Sequence, residues 1–184
     1  ENFPGISVKV MEGNMMAIAD YLDNGEVDLV FTYDRHVPQG QSFEPLFAAP
    51  PYALISRSDE ASQRPSITFE QLSKKPMIML DLPYTHDYFF GLFRARGLEP
   101  DVAHSTRSSE IAKALVEGDF GFTLLNIRPR NYSPKDSRYS VVPISDSSDV
   151  PIFGISTTGN LRQPKNVRSF IKICTKLRDD GIFD

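Results

Sequence analysis

Hydrophobic positions along the chain switch repeatedly between strand-like runs or alternation and a helical spacing of three and four. This succession of short strand-like and helix-like stretches predicts an α/β fold. The clearest case is residues 105–126, where Ile111, Ala112, Leu115 and Val116 fall at helical spacing behind a capping Ser108 and an acidic first-turn residue, Glu110. Gly118 is expected to take the left-handed conformation that ends this helix, and residues 120–126 turn apolar again as a strand. A right-handed strand-helix-strand crossover brings the helix N-terminus, with its unpaired N–H groups, to the carboxyl end of the preceding strand. Open α/β sheets bind ligands there. Thr106, Arg107, Ser108 and Ser109 are therefore the leading ligand-facing candidates.

The other segments repeat the scheme. Ile6, Val8 and Val10 alternate with polar residues and predict a strand. Met15, Met16, Ile18, Ala19 and Leu22 predict a helix stopped by Asn24-Gly25, and residues 27–33 run apolar again. Residues 43–47 and 52–56 read as strands on either side of Pro50-Pro51, which cannot sit within a ladder and mark a crossing between lobes. Thr68 and Gln71 fit a capping box for a short helix ending near Lys74. Residues 77–80 predict a buried strand, Phe89, Leu92 and Phe93 the apolar face of a helix stopping at Gly97, and residues 99–105 the next strand. Residues 126–138, with Pro129 and Pro134, read as a surface loop. Strands follow at 139–144 and 152–157, separated by the polar break 145–149. A last helix begins at Pro164, repeats through Val167, Phe170, Ile171, Cys174 and Leu177, and stops at Gly181.

A chain of 184 residues can form a stable core as one domain or two small lobes. Twenty basic against twenty-four acidic residues, with no basic run, leave no footprint for direct nucleic-acid contact within these residues. The single cysteine, Cys174, excludes an internal disulfide and lies on the apolar face of the last helix, where it reads as core. No long apolar span is present. His36, His86 and His104 lack ligand spacing, so no metal and no cofactor is expected. The Asp119-Phe120-Gly121 triplet lacks the other kinase motifs, and residues 154–158 lack a nucleophile elbow. No enzymatic activity is expected.

With the parts in order, the chain resembles the effector-binding domain of LysR-type transcriptional regulators. Four segments carry the resemblance: Phe3-Pro4-Gly5-Ile6 through Glu12-Gly13 with residues 22–30; Glu44-Pro45-Leu46-Phe47 followed by Tyr52-Ala53-Leu54-Ile55; Ser109-Glu110-Ile111 with residues 115–122; and Val142-Pro143-Ile144 with the closing helix. The resemblance implies two Rossmann-like lobes of periplasmic-binding-protein type joined by two hinge crossings. The first lobe would take residues 1–50 and 146–184, the second residues 51–145. The family's domain opens with a strand and helix ahead of Phe3, and its winged helix-turn-helix lies further upstream. Trimming of those segments is expected, because a sheet lacking an inner strand leaves buried backbone groups unpaired at about 1–3 kcal/mol each.

The resemblance also implies a small-molecule effector in the cleft between lobes, and two helix N-termini with their hydroxyls make a seat for an anion there. Candidate contacts are Asn14, Tyr84, Thr85, His86, Thr106, Arg107, Ser109, Asn126 and Ser156. Thr85 and Ser108 equally suit ordinary helix caps, and Arg107 equally suits an ion pair with Glu110. The implied partners are further copies of the chain, paired lobe to lobe as a dimer or tetramer, with residues 14–24 of one copy against a second-lobe helix of another. DNA would be reached only through the upstream domain, the location would be cytoplasmic, and no membrane is involved. A free-standing solute-binding protein of the same fold is the alternative, and an enzyme on that fold a further one.

Overall fold

In the computed structural model, which describes residues 5–35, 37–128, 132–134, 137–159 and 163–183, the capping and stop signals named above place most of the helices. Phe3, Pro4, His36 and Pro129 lie outside the described residues. The elements are α1 (Met15–Asp23), β1 (Val30–Tyr33), β2 (Gln41–Ala48), β3 (Tyr52–Ser56), a 3₁₀ turn (Glu60–Gln63), α2 (Phe69–Leu72), β4 (Pro76–Leu80), α3 (Thr85–Arg94), β5 (Asp101–Thr106), α4 (Ser109–Glu117), β6 (Thr123–Leu125), β7 (Tyr139–Pro143), β8 (Ile152–Thr158) and α5 (Lys165–Asp179). They divide into two compact units, Glu1–Ala48 with Pro151–Asp184, and Ala49–Val150.

In the first unit Asn14 caps α1, its Oδ1 accepting from the N–H of Met16 at 3.1 Å and of Ala17 at 3.0 Å. Strand β8 lies between β1 and β2 and is antiparallel to both. Leu46 of β2, Ile155 of β8 and Cys174 of α5 form the core, and burial pushes the Cys174 thiol pKa up, as suits an inert packed side chain. The strand expected over residues 6–10 does not form. No described strand pairs with it, and Val8 and Val10 stand 71% and 77% exposed, so alternation without a ladder partner leaves this stretch extended and unpaired.

The second unit is built on β3 and β4, whose apolar runs are covered on both faces. Ala53, Ile55, Met77 and Met79 pack with Phe69 of α2 and Phe89, Leu92 and Phe93 of α3, whereas Tyr52, Leu54, Ile78 and Leu80 pack with Ala112 and Val116 of α4. Strands β6 and β7 flank β3 antiparallel, and β4 and β5 run parallel, as a strand-helix-strand crossover requires. A parallel bridge from Met77 to Phe122 joins the two sets. The expected capping box of α2 is present, with the Thr68 hydroxyl accepting from the Gln71 N–H at 3.2 Å and the Gln71 Oε1 accepting from the Thr68 N–H at 3.1 Å. Arg96 clamps the far end of the unit, stacking 4.6 Å over the Phe69 ring and donating from Nε to Asp146 Oδ2 at 3.2 Å.

The end of α4 differs from expectation. Gly118 is not left-handed (φ −88°), and Asp119 takes that conformation instead at φ +64°. The N–H of Phe120 reaches back to the Leu115 carbonyl at 3.1 Å, which closes a Schellman turn one residue later than the glycine suggests. Aspartate tolerates this backbone better than most residues, and the hydroxyls of Ser56 and Ser58 hold its carboxyl below the usual aspartate range. That contribution to stability is therefore present above the ordinary aspartate pKa and disappears as pH falls through the lowered one. Asp119→Asn is expected to flatten the acid side of a urea-midpoint-against-pH curve. Two residues on, Gly121 has φ +143°, and a Cβ there would lie 2.3 Å from the Pro76 carbonyl oxygen. Gly121→Ala is expected to cost at least about 2 kcal/mol in urea unfolding, because the bridge to β4 must give way.

Candidate functional site

Strands β4 and β5 end side by side, Leu80 opposite Thr106, and each hands the chain to a helix. The backbone between β4 and α3 turns sharply. Leu82 accepts from the N–H groups of both Thr85 and His86 at 3.1 Å, and Tyr84 sits at φ +65°, ψ −32°, a rare conformation for a residue with a side chain. No side chain caps α3, so Thr85 does not act as a cap. After β5, Thr106 Oγ1 accepts from the Ser108 N–H at 3.2 Å, and Ser108 Oγ in turn accepts from the Ile111 N–H at 3.4 Å. The backbone N–H groups of Asp87, Ser109 and Glu110 find no acceptor among the described residues.

An open pocket of about 360 Å³ lies at these two helix starts, lined by Asp81, Leu82, Pro83, Tyr84, His86, Asp87 and Arg107. Arg107 is exposed and its guanidinium makes no hydrogen bond or ion pair among the described residues. Glu110, the partner expected for it, is bonded to Lys113 Nζ at 2.6 Å instead. The His86 ring stacks on Phe90 with centroids 4.5 Å apart, and its Nδ1 lies 3.3 Å from Asp87 Oδ1. The pocket thus sets the Arg107 guanidinium, without a partner among the described residues, beside the two carboxylates of Asp81 and Asp87.

Of the nine candidates, Tyr84, His86 and Arg107 line this pocket, and Thr85, Thr106 and Ser109 belong to the backbone turns that frame it. The other three are engaged elsewhere. Asn14 caps α1 in the first unit. Ser156, fully buried on β8, donates to Gln41 Oε1 at 2.7 Å. Asn126 donates from Nδ2 to the Ala49 carbonyl at 2.8 Å and contacts the Tyr88 hydroxyl at 3.5 Å. Asp81 and Asp87 were not among the candidates, although their place at the exit of a buried strand is the same signal that marked Tyr84. Among the described residues no three His, Cys, Asp or Glu side chains gather as metal ligands, and no helix is long and apolar enough to cross a membrane.

The profile of the LysR substrate binding domain matches residues 1–178. The chain belongs to that family. The LysR domain has the two-lobed periplasmic-binding-protein type of fold, and both units fit it. The HTH-type transcriptional regulator cbl of Escherichia coli (strain K12) is 27% identical over 128 residues, a match covering 68% of this chain and 40% of that protein. The crystal structure of HinK, a LysR family transcriptional regulator from Pseudomonas aeruginosa, superimposes with a TM-score of 0.85 at 25% identity, covering 95% of this chain and 62% of that one. The BenM effector binding domain, solved with its effector benzoate, shares the fold at a TM-score of 0.81 and 16% identity, over 100% of this chain and 83% of that one. The chain therefore spans 40% of cbl and 62% of HinK, less than two thirds of either.

Arg107 and Ser156 differ in what each contributes to the fold. Arg107→Ala is expected to leave urea stability within about 0.5 kcal/mol, since the side chain supports nothing in the fold. Ser156→Ala should cost about 1 kcal/mol by removing the hydrogen bond from the buried Ser156 hydroxyl to the part-buried Gln41 oxygen.

Proposed function

We propose that the chain is the effector-sensing domain of a LysR-type transcriptional regulator and that it takes a small organic anion at the start of α3 and α4. The observation that carries this reading is the Arg107 guanidinium, which lines the pocket without a partner among the described residues, two residues before the N–H groups of Ser109 and Glu110, which find no acceptor among the described residues either. A carboxylate can accept two parallel hydrogen bonds from the guanidinium while it sits at the positive end of a helix. Asp81 and Asp87 repel an anion from the other side of the pocket, so its place is next to α4. The benzoate carried by BenM is a ligand of this chemical class.

Sensing needs no bond-making step. The effector acts by binding one conformation of the two-unit domain more tightly than another, and the regulator's DNA-binding heads, supplied by an upstream domain, read the shifted population. Copies of the chain assemble through α1, on which Leu22 is buried while Met16 stands 50% exposed. The protein works in the cytoplasm.

The test is thermal unfolding against a panel of aromatic acids, aliphatic carboxylates, amino acids and neutral sugars. A ligand at 100 times its Kd adds about 2.7 kcal/mol, roughly 5–10 °C in Tm for a domain of this size. An anionic class should produce that shift, and Arg107→Ala should remove most of it. A shift only from neutral sugars, or one indifferent to Arg107→Ala, would overturn the anion site.

A further inference from the structure

Helix α3 opens at the candidate pocket, and one turn further along it is tied to both places where the chain leaves the second unit. Those places are Ala49, its first residue, and the segment ending at Val150. The Tyr88 hydroxyl donates to the Asp149 carbonyl at 2.9 Å. Asn126, just past β6, donates from Nδ2 to the Ala49 carbonyl at 2.8 Å and to the Tyr88 hydroxyl oxygen at 3.5 Å. The result is a continuous donor chain from one crossing to the other, Ala49 carbonyl to Asn126 amide to Tyr88 hydroxyl to Asp149 carbonyl. The chemistry of Asn126 suits this arrangement, since a carboxamide has two N–H bonds and each finds one acceptor. The segment after Asn126 is fixed in turn, because the buried Tyr52 donates from its hydroxyl to the Ile127 carbonyl at 2.5 Å.

We infer that Tyr88 and Asn126 are positioning residues that couple the effector-binding start of α3 to both crossings. Neither needs to touch the effector. The helix is a rigid rod, so a displacement at Tyr84–His86 moves the Tyr88 hydroxyl, and the Asp149 and Ala49 carbonyls must follow or lose their donors. Asn126, expected from sequence to face the ligand, then acts one step behind it. This deepens the regulation of the site proposed above and rests on that reading for its biological use.

The test uses no effector, so its failure is distinct from failure of the sensor. Hydrogen exchange of the 184-residue chain is followed by mass spectrometry in peptides covering residues 46–54, 85–90 and 146–153. Tyr88→Phe and Asn126→Asp are each expected to speed exchange in all three by about threefold to tenfold, the worth of one hydrogen bond, with β4 unaffected. Pro50→Gly, which loosens the first crossing, should speed exchange at residues 85–90 in the wild-type background and leave it unchanged when Tyr88→Phe is also present. A merely local packing role for Tyr88 predicts the same Pro50→Gly effect in both backgrounds. That result, or no effect of Pro50→Gly on α3, overturns the coupling.

Discussion

A strand buried on both faces can survive only if both of its edges are hydrogen bonded, and β4 imposes that demand on the second unit. Met77, Ile78 and Met79 are essentially inaccessible to water, so an unpaired peptide group there would cost about 1–3 kcal/mol. On one side β5 supplies a parallel ladder. On the other, the Ile78 N–H donates to the Phe122 carbonyl at 2.7 Å and the Phe122 N–H to the Pro76 carbonyl at 3.0 Å. That second edge is reachable only because Gly121 brings no Cβ against Pro76. The left-handed Asp119, the end of α4 and the short span of β6 all serve this close approach.

The same constraint shapes the candidate site. Parallel neighbours β4 and β5 must both end at one edge of the sheet and both feed helices, so two sets of unsatisfied N–H groups arrive together. The first set is partly consumed by the Leu82 carbonyl, at the expense of an uncommon backbone conformation at Tyr84. The second finds no acceptor among the described residues at Ser109 and Glu110, which follow Arg107 in the chain. Recognition in the proposed function is therefore asymmetric, with α4 holding the anion and the α3 side shaping what else the ligand may carry. A sensor of this kind gains nothing from a perturbed catalytic group. What it needs is a binding edge continuous with the segments that leave the unit, and in the coupling inferred above α3 supplies that continuity through Tyr88.

Local patterns in the sequence carried the caps of α2 and α4 well, because the Thr68–Gln71 box and Ser108 act within three residues of themselves, whereas Asn14, expected as a ligand contact, is the cap of α1. Buried strands were legible for a similar reason, since residues 77–80 need no partner to read as apolar. Features set by distant partners were not. Ser156 is saturated by Gln41, 115 residues away, and Asn126 by Ala49, 77 residues away, and no spacing rule announces either bond. The stretch at 6–10 alternates like a strand, yet a strand is defined by its neighbour and none of the described ones takes it. The stop of α4 shows a subtler limit, where a glycine drew the left-handed assignment while Asp119, one residue on, takes it. Residue type and position after a strand pointed to Tyr84, His86 and Arg107, which line one candidate pocket.

The central claim is that the start of α3 and α4 is where a small anion is read. Amide chemical-shift mapping of the isotope-labelled chain, titrated with the carboxylate that raises Tm most, tests it directly. The account predicts saturable shifts largest at Tyr84, His86, Arg107, Ser109 and Glu110, with smaller ones reaching Tyr88 and Asn126. Saturable shifts confined to the first unit, or to the second unit away from these helix starts, would contradict it.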